Sequence, residues 1–255
     1  MRLAPSSTAF HRALTSGGLT QLELLDLCAG PLGADGVVLD VVHFPRRDLD
    51  YLAQLKKLAA DLGLSVVAVR DDELARDGKS PALEIAALLG APYVLTRMPQ
   101  SGTDPVSVYN EALRILGWAV ADAKRRNVTI AVRNVRGSLA DDAFELGRVR
   151  KEADSAWLRF ALDAAALESG QGVDEKVRKR VVLAYRELRD VPPDGRDPHA
   201  GEIVAALHDF PGFLTLDYAG SEREQAAMTR LVHGWRKALA ESELKERVAE
   251  PHVPS

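Results

Sequence analysis

Residues 59–70 read AADLGLSVVAVR, and residues 86–97, AALLGAPYVLTR, repeat them almost position for position. Each has a helix end, a glycine able to take the left-handed cap, an apolar strand and a terminal arginine. Working outward, five more apolar runs end in a charge: VVLD at Asp40, TIAVR at Arg133, WLRFALD at Asp163, VVLAYRE at Glu187 and FLTLD at Asp217. From Asp40 the steps are 30, 27, 36, 30, 24 and 30 residues, close to the ~30 residues of one βαβ unit. The charges therefore recur at one structural level. In a (β/α)8 barrel that level is the C-terminal mouth, where active sites are built.

The 255 residues suit one such barrel. Strands and helices alternate with no long Pro/Gly/Ser linker, so one domain is predicted over residues 1–245, with 246–255 a frayed tail. The helix after Asp40 carries Leu49, Leu52, Leu55, Leu58 and Leu62 as a stripe. Asp104 and Pro105 open a helix running to about Asn127, and the last helix covers about Ser221 to Ala240, with Leu231 and Trp235 on its apolar side. The first strand is the weakest, because RLAPSSTAF contains a proline. The stretch from Asp163 to Val181 is short for a full helix and two loops.

Apolar residues make up 46% of the chain and the net charge is −4 with both signs interspersed, which predicts neither a nucleic-acid nor a membrane partner. Cys28 stands alone, so there is no internal disulfide and no CxxC motif. The opening MRLAPSSTAFHRALTSGG lacks an apolar signal core, and a cytoplasmic protein is expected. No HExxH, GxSxG, Walker or GxGxxG pattern occurs. Asp48 and Asp50 form a DxD, read as helix capping.

Arg70, Arg97 and Arg133 end the third, fourth and fifth strands, and Asp163, Glu187 and Asp217 end the next three. Guanidinium forks suit phosphate or carboxylate, so the arginine arc points to an anionic ligand. The competing reading is a salt-bridge ring in which the arginines neutralise the acids. His43, after the second strand, is a further candidate ligand contact, and His199 a weaker one.

With the strand ends placed, the chain resembles the xylose isomerase-like TIM barrel superfamily, the sugar phosphate isomerase/epimerase family. GADGVVLDVVHF (33–44) is similar to the second-strand phrase, TIAVRNVRG (129–137) to one centred on Glu-Asn-His, LRFALDAAAL (158–167) to Asp-x-x-His, YRELRD (185–190) to His-x-Lys-Asp and GFLTLDY (212–218) to Gly-x-x-x-x-Glu-Tyr. The resemblance implies a single divalent metal held by Glu, Asp, His and Glu, and proton shuttling by the two glutamates. Here Arg133 replaces the first Glu, Asp163 is retained, Glu187 replaces the His, Asp217 the last Glu, and Ala166 the His after the aspartate. The implied site is degenerate, without a metal cofactor, and Arg133 is expected to act as a built-in cation contacting Asp163, Glu187 or Asp217. A divalent metal on those three acids is the lesser alternative.

The resemblance thus implies a sugar isomerase/epimerase-like barrel binding a small polar, anionic metabolite, such as a sugar or sugar phosphate. Asp217, Glu187 and Arg133 would serve metal-independent proton transfer, while Arg70, Arg97, Asp163 and His43 bind substrate. The alternative is a non-catalytic barrel, a ligand sensor or structural partner subunit. Homo-oligomerisation is compatible with either.

Overall fold

In a computed structural model, residues 1–74, 80–100, 102–141, 143–164 and 175–249 are described. Eight parallel strands form one sheet: β1 (Arg2–Pro5), β2 (Gly36–Asp40), β3 (Ser65–Arg70), β4 (Tyr93–Arg97), β5 (Thr129–Arg133), β6 (Leu158–Asp163), β7 (Val181–Leu188) and β8 (Phe213–Tyr218). Their order is β1-β8-β7-β6-β5-β4-β3-β2. The barrel is closed between β1 and β2 by an isolated Ser6–Val38 bridge rather than a ladder. This seam explains how Pro5 fits a strand. Leu3 N donates to the Asp35 carboxylate beside β2 and Ser6 N to Leu216 O on β8. By alternation Pro5 turns its missing N–H toward the unladdered side.

The helices are α1 (His11–Thr15), α2 (Gln21–Ala29), α3 (Leu49–Asp61), α4 (Pro81–Leu89), α5 (Pro105–Arg125), α6 (Ala143–Ala153), α7 (Glu175–Arg178), α8 (Ala200–Ala206) and α9 (Glu224–Ala249). Local chemistry sets their starts. Asp48 accepts from Tyr51 N to cap α3, with Asp50 in its first turn, and Asp104 accepts from Ser107 N ahead of Pro105. Gly90 closes α4 with a φ of 77°, the left-handed cap read from the repeat. Leu52 and Leu55 are buried as the stripe predicts, whereas Leu49, in the first turn of α3, is 65% exposed. The last helix starts and ends later than the sequence reading, and Trp235 and Leu231 are buried on it. Ala166 and residues 250–255 lie outside the described residues.

Two cores follow from strand alternation. One lies between sheet and helices. The other fills the barrel axis with Ala4, Val38, Val67, Ala68, Leu95, Ala131, Ala161, Leu183 and Phe213. Because side chains alternate with a period of two, the residue two places beyond an axial one is axial again. Val38 leads to Asp40, Ala68 to Arg70, Leu95 to Arg97, Ala131 to Arg133 and Ala161 to Asp163. Leu183 leads through Tyr185 to Glu187, and Phe213 through Thr215 to Asp217. Four of the nine axial residues are alanines.

Candidate functional site at the barrel mouth

All seven strand-end charges stand on the axial face, but they do not pair as two opposed arcs. Arg70 is the hub. Its Nε lies 3.5 Å from Asp40 Oδ2, one terminal nitrogen 2.6 Å from Asp72 Oδ2 and the other 3.3 Å from Asp217 Oδ2. The nitrogen facing Asp217 also donates to Thr8 Oγ1 at 3.2 Å. Thr8 Oγ1 in turn donates to Asp217 Oδ2 at 2.5 Å, and Tyr218 N donates to Asp217 Oδ1 at 2.9 Å. Asp217 is therefore buried with both oxygens engaged. The 310 turn Ser7–Phe10, capped by Ser6, delivers Thr8 to this point.

Arg133 is buried at the mouth as expected, yet its partner is not one of the three acids named from the sequence. Its ion pair runs to Asp72 Oδ1 at 3.1 Å. Its guanidinium carbon also lies 4.6 Å from the centre of the Tyr185 ring, a cation–π distance. Asp72, two residues past Arg70, thus joins two guanidinium groups through one carboxylate. Its position in the loop after β3, rather than at a strand end, hid it from the periodic reading.

Asn134 links Asp163 to Tyr185. Its Oδ1 accepts from Asp163 N at 2.8 Å, and its backbone carbonyl accepts from the Tyr185 hydroxyl. Glu187 is exposed at the rim, next to Asp217 in register. Arg97 is the least committed arginine: its ion pair to Glu73 is 3.9 Å long, and that glutamate is 88% exposed.

His43 is buried in a different cluster. Ser7 Oγ lies 2.9 Å from its Nδ1 and His11 Nδ1 lies 3.0 Å from its Nε2, so protein groups occupy both ring nitrogens. A ligand contact to His43 would displace one of them. Burial first, then the neighbouring His11 and Arg70, push its pKa down to about 4, so it is neutral at pH 7. His199 is exposed in the loop before α8, which is tied down by the ion pair of half-buried Arg186 with buried Asp197 at 2.7 Å.

Burial and ion pairing compete in the mouth's acid–base behaviour. Desolvation raises the pKa of Asp40 above its ordinary value despite the Val42 amide and the Arg70 charge. Desolvation pulls Asp72 the same way, but hydrogen bonding and charge from Arg70, then Arg133 and Arg97, outweigh it and hold Asp72 below its ordinary value. Arg70 shows the converse: burial opposes its charge, and Asp72, Asp217 and Asp40 together more than restore it. The Tyr185 hydroxyl is raised, chiefly by burial. Among the described residues no three His, Cys, Asp or Glu side chains form a group that could hold a metal ion, and no helix is long and apolar enough to cross a membrane.

A closed ring of eight parallel strands with its polar side chains gathered at the C-terminal mouth defines a TIM barrel. Solved structures of low sequence identity share this barrel fold. L-ribulose 3-epimerase superposes with a TM-score of 0.71 at 16% identity, covering 99% of this chain and 99% of that one. The probable 3-DHS dehydratase AsbF from Bacillus anthracis gives 0.72 at 12% identity, covering 91% and 98%. The xylose isomerase domain protein from Planctomyces limnophilus gives 0.66 at 15%, covering 94% and 98%. No protein-family model and no curated protein matches the chain.

Proposed function

We propose that this barrel binds a small, polar, anionic metabolite of the sugar or sugar-acid class at its mouth, in the cytoplasm and without a divalent metal. The observation that carries the reading is the Arg70–Asp217 pair, backed by Asp72 and Arg133. A guanidinium stays protonated and cannot ligate a cation. One stands 3.3 Å from Asp217 and the other occupies a strand end on the same face. The residues present therefore do not suit a metal at the three acids Asp163, Glu187 and Asp217. Arg97, weakly paired and partly exposed, supplies the cation for a ligand's anionic group.

Sugar epimerases among the structural neighbours favour a second reading, metal-independent proton transfer. Glu187 is its base, because Asp217 already accepts three hydrogen bonds while Glu187 stands exposed at the rim. Arg133 then stabilises developing negative charge. Thermal shift with sugar acids, sugar phosphates and neutral sugars tests binding. At roughly a hundredfold excess over Kd a ligand adds about 2.7 kcal/mol. Stabilisation by neutral sugars alone would remove the anion preference. Solvent deuterium entering a bound ketose in the parent but not in Glu187→Gln would support proton transfer, and equal incorporation in both would exclude Glu187 as base.

A further inference from the structure

Beside the axial mouth, a cleft of about 780 Å³ opens between the end of β4 and the first half of α5. That size suits a small molecule, for which pockets run to roughly 300–1,000 Å³. The cleft joins two chemistries. Met98, Val108, Ala112, Ile115 and Leu116 give it an apolar wall, while Arg97 and Asp72 connect it to the mouth network.

Thr96 marks this as more than a packing gap. It lies on the helix-facing side of β4 and is 1% exposed. Its Oγ1 makes no hydrogen bond among the described residues. Leaving a buried hydroxyl unpaired costs about 1–3 kcal/mol, which a partner would recover once the cleft wall shifts to admit it. Among the described residues Arg97, next in sequence, has only the 3.9 Å ion pair to Glu73. Glu111 on the opposite wall is bonded to Arg114 on its own helix. An unpaired hydroxyl and a loosely paired cation thus line the same cleft as a run of aliphatic side chains.

We infer that this cleft receives the apolar body of an amphipathic anion, whose carboxylate or phosphate sits on Arg97 and whose polar substituent meets the Thr96 hydroxyl. The inference rests on the reading of the mouth as an anion site, keeps the anion and changes its body from polar to apolar: a purely polar sugar acid would leave the aliphatic wall unpaired. It also accounts for Arg97 being, among the described residues, the one of the three arginines with no carboxylate closer than 3.9 Å.

Calorimetry on the full chain decides, with phenylacetate and phenyl phosphate set against gluconate, glucose 6-phosphate and benzyl alcohol. The aryl anions are expected to bind at least tenfold more tightly than the others. Val108→Trp, which fills the cleft from a half-buried position, and Arg97→Met are each expected to weaken them tenfold or more. Thr96→Val is expected to weaken binding while leaving Tm unchanged or raised, an outcome a purely structural threonine would not give. If gluconate or glucose 6-phosphate binds more tightly than the aryl anions and Val108→Trp leaves that affinity unchanged, the cleft inference falls and the mouth reading stands. Benzyl alcohol binding as tightly as phenylacetate would overturn the role of Arg97. If no probe binds, both readings fall together.

Discussion

Replacing Asp72 with asparagine removes one charge from beneath two guanidinium groups and keeps the side chain's shape. Arg70 retains Asp40 and Asp217 as partners. Arg133 is left with the face of Tyr185, so the loss falls mainly on Arg133, which is only 7% exposed. Breaking a fully buried pair costs about 3–5 kcal/mol and an exposed pair contributes about 0–1. With the Asp72 side chain 22% exposed, we expect a loss of about 2 kcal/mol. For a chain of this size that corresponds to roughly 4–8 °C in Tm.

The pH dependence gives a second check on the same substitution. The folded pKa of Asp72 is held below its ordinary 3.8. A depressed carboxyl contributes stability that is fully present above the unfolded pKa and is lost as pH falls through the folded one. The gap between parent and Asp72→Asn, measured by urea unfolding, should therefore stay constant from about pH 8 to 5 and close below about pH 4. In a double-mutant cycle, adding Arg133→Met should cost less in the Asp72→Asn background than in the parent. A gap under about 0.5 kcal/mol at pH 7, or additive single effects, would refute the bridging role of Asp72.

Three further outcomes are expected. His43 titrates at about 4 when folded, below its ordinary 6.5, so the stability of its neutral form is present above pH 6.5 and is lost as pH falls toward 4; His43→Gln should flatten that part of the stability profile, and an unchanged slope would contradict it. Arg133→Glu combined with Glu187→His should create Mn²⁺ affinity that calorimetry does not find in the parent, most clearly with Asp72→Asn added to relieve repulsion of the new glutamate; tight binding by the parent would remove the metal-free reading. Cys28 is buried and its thiol is pushed up to about 12, so a thiol reagent at pH 8 should label it only after unfolding, and rapid labelling of the native protein would contradict its burial.

The barrel was legible in the sequence because strand ends repeat at the βα period and each of the seven charges shares its side of the strand with an apolar axial residue two or four places earlier. Pro5 weakened the first strand on paper, yet it sits where the sheet has a seam, a circumstance no local pattern records. The pairing at the mouth was less legible for a related reason. Periodicity gives the level of a side chain but not its angular neighbours, so Arg133 was assigned to the acids that end later strands, while its partner Asp72 comes from a loop two residues past Arg70. Thr8, Asn134 and Tyr185 were missed on the same ground, being polar groups in a turn, beyond a strand end and inside an apolar run. What the sequence did carry is an arginine at the end of the fifth strand, on the axial face. The structure adds that Arg70, not Arg133, stands against Asp217. The cation beside the last strand's acid thus comes from across the barrel. Arg133→Glu would therefore leave the Arg70 guanidinium 3.3 Å from Asp217.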